Sequence, residues 1–238
     1  IYSEVLQKFR LAAQGRRPGK RPPAHLAKRV ATYFDPLPFY HEPLEVELVD
    51  TQEYPLNALT QRPMAMYHSW DSQNAWLRQI HTHNYLFVSP RLGAAQGFDD
   101  GDWVWVESPH GKVRCMARFS ESVEPGTVWT WNAIGKASGA WALHPKANES
   151  QKGFLLNHVI AEELPPSEAG EHLSNSDPVT GQAAWFDVRV KVYKADDSEP
   201  QASYPQFKPQ RRLPGQDAKR GRWQAYFAGV FRRKTGIE

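Results

Sequence analysis

The sequence predicts a β-rich barrel with small helical inserts and a basic arm at each end. Short runs that alternate apolar and polar residues recur between turn signals across the middle of the chain, which favours a barrel or sandwich over a doubly wound sheet. The 238 residues include 19 Pro, 16 Gly and 9 Trp, which argues against a plain helical bundle and for many loops and strands, while 40% hydrophobic residues are enough for a real core. The charge is divided. Residues 1–30 hold eight Lys/Arg against Glu4, and residues 208–238 hold nine against Asp217 and Glu238. Residues 31–207 hold 12 basic and 23 acidic groups, so an acidic body lies between two basic ends.

Residues 1–12 place Val5, Leu6, Phe9 and Ala12 at helical spacing, a short amphipathic helix. The stretch AAQGRRPGKRPPAH then combines Gly, Pro and basic residues and reads as an extended linker. Residues 33–55 carry Pro36, Pro38, Pro43 and Pro55, a composition that suits a segment lying along a partner surface. LNALT is a short strand, and SQNAWLRQIH (72–81) a helix with Asp71 or Ser72 as N-cap. NYLFVS is a strand, followed by a helix that starts with Pro90 and stops at Gly97. DWVWVES and KVRCMARFS alternate cleanly on either side of PHG, a β-hairpin. EPG turns into the strand TVWTWNAI. FLLNHVIAEEL reads as a loop with a short turn of helix, and WFDVRVKVYK (185–194) as a final strand. The tail from 196 returns to Pro, Gln and Arg, with RWQAYFAGVF a helix or a strand.

One cysteine, Cys115, excludes a disulfide framework, a Cys-based zinc site and an iron–sulfur cluster held by this chain alone. No apolar run approaches the roughly 20 residues that span a bilayer. The chain starts at Ile without a signal peptide, which reads as a fragment or a processed product. Nucleotide-binding glycine motifs, nucleophile elbows and zincin motifs are all missing. His81 and His83 share a face only on a strand and have no third ligand nearby, and Asp99, Asp100 and Asp102 fit a turn into a strand better than a calcium loop. The conspicuous cluster is TQRPMAMYHSWDSQNAW (60–76). Arg62, His68, Ser69 and the amides of a strand-to-helix junction supply donors and positive charge for a phosphate or pyrophosphate. The same stretch also reads as a capped loop whose His and Trp simply pack. The basic ends, with Tyr204, Phe207, Trp223, Tyr226 and Phe227 nearby, are compatible with nucleic acid, but neither shows a recognisable module, and docking to another protein or an anionic membrane surface fits equally.

TQRPMAMYHSW (60–70) resembles the T-G-R-x-x-x-x-W/Y-H-S/T segment in the C-terminal domain of molybdopterin oxidoreductases of the dimethyl sulfoxide reductase superfamily. Residues 84–129 are similar to the same domain's second signature, a strand ending in Pro, an Ala-containing helix, G-[IF]-x-D-G-D, V-x-V-x-S-x-x-G and P-G-x-V. FLLNHVI (154–160) resembles its N-x-L-T element, and residues 175–192 its D-P-x-[ST]-G segment with the closing strand. Order and spacing agree across residues 51–195. The opening IYSE is similar to the I-E-I-Y-S-E that precedes this domain in the family.

The resemblance implies a six-stranded double-psi β-barrel at 51–195, a helix and Pro/Arg-rich connecting arm at 1–50 and a basic docking tail at 196–238. It implies a pair of molybdopterin guanine dinucleotides holding Mo or W, contacted by Thr60, Gln61, Arg62, Tyr67, His68, Ser69, Trp70, Asn157, Trp185 and Phe186. Gln61 stands where the family usually has Gly, and Asp187 where many members have Lys. By this likeness the chain is the C-terminal part of a larger catalytic subunit, with the iron–sulfur cluster, the protein ligand to the metal and most of the substrate funnel elsewhere. The arm, ATYFDPLPFY and the tail are most like large subunits of three-subunit, membrane-associated enzymes acting on inorganic sulfur compounds, sulfite oxidation being favoured. The partners would be a membrane anchor and an iron–sulfur electron-transfer subunit, placed on the cytoplasmic face of the membrane with the periplasm as the alternative, and with no nucleic acid involved. The alternative is a β-barrel binding module docking nucleic acid or a partner protein through its basic ends.

Overall fold

The computed structural model describes residues 3–71, 74–132, 134, 148, 152–161, 163–164, 174–183, 188–199, 201, 203 and 205–207. The start of the expected last strand, residues 185–187, and the tail 208–238 lie outside the described residues.

Two helices come first, α1 (Ser3–Ala13) and α2 (Ala24–Tyr33). The first was expected; the second follows Pro23 directly, where the Pro- and Arg-rich composition pointed to extended chain. Pro is tolerated just outside a helix start because the first turn has no carbonyl to offer its missing N–H. The pair packs through Phe9 against Phe34, edge to face at 5.9 Å, and Arg10 bonds Asp35. Neither face of α1 is buried, and Arg16, Arg17, Lys20 and Arg21 stand exposed between the helices.

The Pro-rich segment is fastened to the barrel by its short helix α3 (Leu44–Leu48). Glu45 is 1% exposed; its carboxylate accepts from the Arg189 amide at 3.1 Å and from Asn175 Nδ2 at 2.9 Å. A carboxylate is buried only where donors replace its water, and here they come from two distant parts of the chain. Leu37, Phe39 and Tyr40, just upstream, remain exposed.

The strands are β1 (Leu56–Gln61), β2 (Leu86–Val88), β3 (Trp103–Ser108), β4 (Gly111–Phe119), β5 (Thr127–Trp131), β6 (Val188–Lys194) and β7 (Pro205–Phe207). Their order is β2-β5-β1-β6-β3-β4-β7, and β2 also pairs with β4. The first six therefore close on themselves, the six-stranded barrel expected. Two pairs are parallel, β1 with β5 (Asn57 opposite Thr127 through Gln61 opposite Trp131) and β2 with β4. The hairpin is in register from Trp103 opposite Met116 to Ser108 opposite Gly111. Alternation places Leu56, Ala58, Leu86, Val88, Val104, Val106, Val113, Cys115, Ala117, Val128, Val188, Val190 and Val192 in one core with Phe154, Leu156 and Val159. Small β-branched residues dominate because a narrow barrel has room for little else.

Two helical inserts serve the barrel. Helix α4 is only Leu77–Ile80, shorter than the 72–81 expected, and its lead-in turn is braced by Asn74, whose Oδ1 accepts from the Trp76 and Leu77 amides. Asp71, expected as a cap, instead accepts from the Tyr67 amide at 2.7 Å. Helix α5 (Pro90–Gln96) is as expected, with Ser89 Oγ accepting from the Leu92 amide and Gly97 ending it at φ 71°. A 3₁₀ turn at Leu156–Val159 supplies the short helical turn expected there.

Candidate cofactor-binding site

The site grows from the C-terminal ends of the parallel strands β1 and β5. Parallel strands end together, so the chains leaving Gln61 and Trp131 start side by side, and loops at such ends are free to carry function. The Asn132 amide donates to the Gln61 carbonyl at 2.8 Å and extends the pairing by one bond.

From Gln61 the chain enters a loop pinned by two buried residues, Pro63 and Met66, while Arg62, Met64 and Tyr67 point outward. Arg62 lies over the Tyr67 ring at 5.5 Å, and Tyr67 meets the His68 ring edge to face at 5.3 Å. His68 opens the 3₁₀ turn His68–Asp71 at φ 51°, a left-handed conformation uncommon for any residue but Gly. Its Nδ1 is 3.0 Å from Asn132 Oδ1. Ser69 sits in the same turn, and Trp70 follows with its side chain exposed.

The structure thus brings Arg62, Tyr67 and His68 together, with Gln61 at the root of the loop and Trp70 beyond it. Thr60 goes elsewhere. It is 2% exposed and faces the barrel interior with Leu56 and Ala58, so its hydroxyl does not share the surface of Arg62. Trp185 and Phe186 lie outside the described residues.

Asn157 is exposed on the 3₁₀ turn, and that segment is tied to the same strand end by a buried amide. Asn84, 3% exposed, donates through Nδ2 to the carbonyls of Trp131 (2.8 Å) and Phe154 (3.1 Å). Its Oδ1 accepts from Thr130 Oγ1 at 2.9 Å, and its own amide donates to the Lys152 carbonyl at 2.8 Å. Every polar group of Asn84 but its own carbonyl is therefore engaged in holding β5 to the chain that carries Asn157. Next to Asn157, burial holds the His158 imidazole below its ordinary pKa.

Asn132 and Asn84 were not among the sequence candidates. The available signal was slight, an Asn directly after or before an alternating strand, where a side-chain amide can continue backbone pairing.

The remaining sequence candidates resolve into structure. His81 packs on Trp131 and His83 stacks on Tyr85, and no group of three metal-ligating side chains occurs among the described residues. Asp100 and Asp102 close the turn into β3 through Arg118, the Phe119 amide, the Asp99 amide and Lys194.

A guanidinium, an imidazole and exposed aromatic rings on one loop suit an anionic ligand with planar ring systems: cations for phosphate, π faces for bases or pterins. The family known as the Molydopterin dinucleotide binding domain matches residues 56–175. The chain belongs to this family. It is 79% identical over 97% of its length to a sulfite dehydrogenase subunit of Allochromatium vinosum. It is also 28% identical over 73% of its length to a dopamine dehydroxylase of Eggerthella lenta, and 28% identical over 71% to a putative dimethyl sulfoxide reductase catalytic subunit of Halobacterium salinarum. The chain spans 24%, 15% and 18% of these three proteins, a quarter of their length or less. The reading of the basic ends as grips for nucleic acid finds no support in the family or these relatives.

Proposed function

We propose that this chain is the C-terminal, cofactor-holding part of the catalytic subunit of a molybdenum oxidoreductase that oxidises sulfite. The supporting observation is the Arg62–Tyr67–His68 loop, held at the paired ends of β1 and β5 inside the region matched by the dinucleotide-binding family. The 79% identity to a sulfite dehydrogenase subunit supports the substrate.

Arg62 and His68 would hold pyrophosphate oxygens, Tyr67 and Trp70 would lie against the ring systems, and Gln61, Ser69 and Asn157 would add polar contacts at the rim. When bound, the molybdopterin guanine dinucleotides carry a metal that supplies two-electron redox chemistry to the substrate. The chain's own part is to bind and orient. Its closed barrel fixes the strand ends, the buried Pro63 and Met66 fix the loop, and Asn84 ties β5 to the segment that carries Asn157.

The partners in this reading are the rest of the catalytic subunit, a membrane anchor and an iron–sulfur electron-transfer subunit, on the cytoplasmic face of the membrane. The exposed Arg16, Arg17, Lys20 and Arg21 between α1 and α2 support a surface for an acidic neighbour.

The test uses the full-length subunit. Denaturation should release guanine nucleotide and molybdenum, and sulfite should reduce an added electron acceptor. Arg62→Ala and His68→Gln should lower the nucleotide content. Normal content in both variants would overturn the site, and a preparation without molybdenum or guanine nucleotide would overturn the function.

A further inference from the structure

We propose that Asn132 is a positioning residue for the cofactor, acting through His68; this rests on the assignment of His68 to the cofactor. A non-glycine residue at φ 51°, as His68 is, holds a strained backbone arrangement that persists only where its surroundings enforce it. Contacts from both sides of the turn enforce it here. Asp71 Oδ2 accepts the Tyr67 amide from within the turn, and Asn132 Oδ1 meets His68 Nδ1 from the opposite strand end.

Asn132 is suited to this because it is itself held. It is 8% exposed, directly follows β5, and its amide is bonded to the Gln61 carbonyl. Gln61, from which the loop leaves, and the imidazole are therefore registered against one another by a single residue, through its backbone N–H and its side-chain oxygen. Its amide oxygen only accepts, so it takes the proton on Nδ1 and selects that tautomer. The ligand then meets the far edge of the ring, at Nε2. A doubly protonated ring donates from both nitrogens, Nδ1–H to Asn132 and Nε2–H to an anionic phosphate oxygen of the cofactor it would hold. The bond between Asn132 and His68 is thus to His68 what an outer carboxylate or carbonyl is to a ligating histidine, a hold on ring orientation and proton placement.

Three substitutions separate this role from general support of the barrel. Asn132→Leu keeps the volume and removes the acceptor; Asn132→Ser is smaller and does not reach the ring; Asn132→Asp keeps an acceptor oxygen in place. In the full-length subunit, guanine nucleotide per polypeptide should fall about tenfold in the Leu and Ser variants, the scale of one charge-assisted hydrogen bond, and stay near wild type in the Asp variant. Combining Asn132→Leu with His68→Gln should cause no loss beyond His68→Gln alone, while the melting temperature reports folding of each variant. Wild-type nucleotide content in folded Asn132→Leu, or losses that multiply in the double variant, would overturn the role of Asn132 alone. Wild-type content in both Arg62→Ala and His68→Gln would instead overturn the cofactor site on which it rests.

Discussion

The guanidinium of Arg114, with its side chain 1% exposed in the barrel wall, meets the carboxylate of Glu199 at 3.0 Å. The same oxygen accepts from Trp105 Nε1 at 3.0 Å, and Arg114 lies 5.0 Å from the Trp105 ring. Glu199 belongs to the chain beyond β6, so this contact binds that segment to the hairpin. Removing the carboxylate deprives a buried cation of this counter-charge. Glu199→Ala should therefore lower the unfolding free energy by about 3 kcal/mol, and Glu199→Gln by less, measured by urea denaturation.

Asn84 should be less replaceable than its size suggests. Asn84→Leu conserves volume but strips donors from the carbonyls of Trp131 and the buried Phe154, at about 1–3 kcal/mol for a buried carbonyl left without one. The loss of stability should be accompanied by loss of nucleotide, because the same amide joins β5 to the segment bearing Asn157. A stability loss with full nucleotide content would show that the two sides of the site do not depend on each other.

Gly93 lies where helix α5 crosses the barrel. A Cβ there would fall 2.1 Å from the Phe119 ring and 2.9 Å from the Phe98 carbonyl. Gly93→Ala should cost about 1–3 kcal/mol despite the higher helix propensity of Ala, since ring and backbone both have to move. A thermal melt at or above wild type would contradict this close packing.

Acidification should destabilise the fold through His158. Burial favours its neutral form, so the folded state takes up the proton below the ordinary value of 6.5 at which the unfolded chain does. Between those two values the unfolded state binds more protons. The contribution is complete above pH 6.5 and is lost as pH falls through the folded-state value. Stability measured at a series of pH values should decline over this range, and His158→Gln should flatten the decline.

Cys115 should be inert in the native protein. It is 1% exposed on β4, and burial raises its thiol well above the ordinary value, so little thiolate forms and no reagent reaches it. A thiol-specific chromophore should titrate no sulfhydryl until denaturant is added, and one thereafter.

The strands were the legible part of the fold. Trp103–Ser108 and Gly111–Phe119 alternate and flank Pro109 and His110, so the hairpin is written locally. The pairing of β1 with β5 is not, because alternation identifies a strand and one buried face but not a parallel partner 70 residues away. Helix α2 was hidden by its setting: Pro22 and Pro23 stand at its threshold, and Gly19 and basic residues just upstream, so composition outweighed the spacing of Leu26, Val30 and Tyr33. Within the candidate site, the grouping of Arg62, Tyr67 and His68 on one loop was legible because residue type and motif spacing coincide. Thr60 fitted the motif equally well, but its place on β1 turns it into the core. Asn132 carried no motif at all; its importance follows from a strand register that only the folded chain reveals.

Besides β3, strand β4 has two further partners at its two ends, β2 at Ala117–Phe119 and the short β7 at Gly111–Val113. The last three residues of the described chain therefore act as a lid on a seam the barrel does not close by itself. A truncation that ended at Glu199 would keep all six barrel strands and still bare the amides and carbonyls of that stretch as a template for foreign strands. Such a shortened domain should self-associate under conditions where the longer chain stays monodisperse, a quaternary liability decided by a segment of three residues.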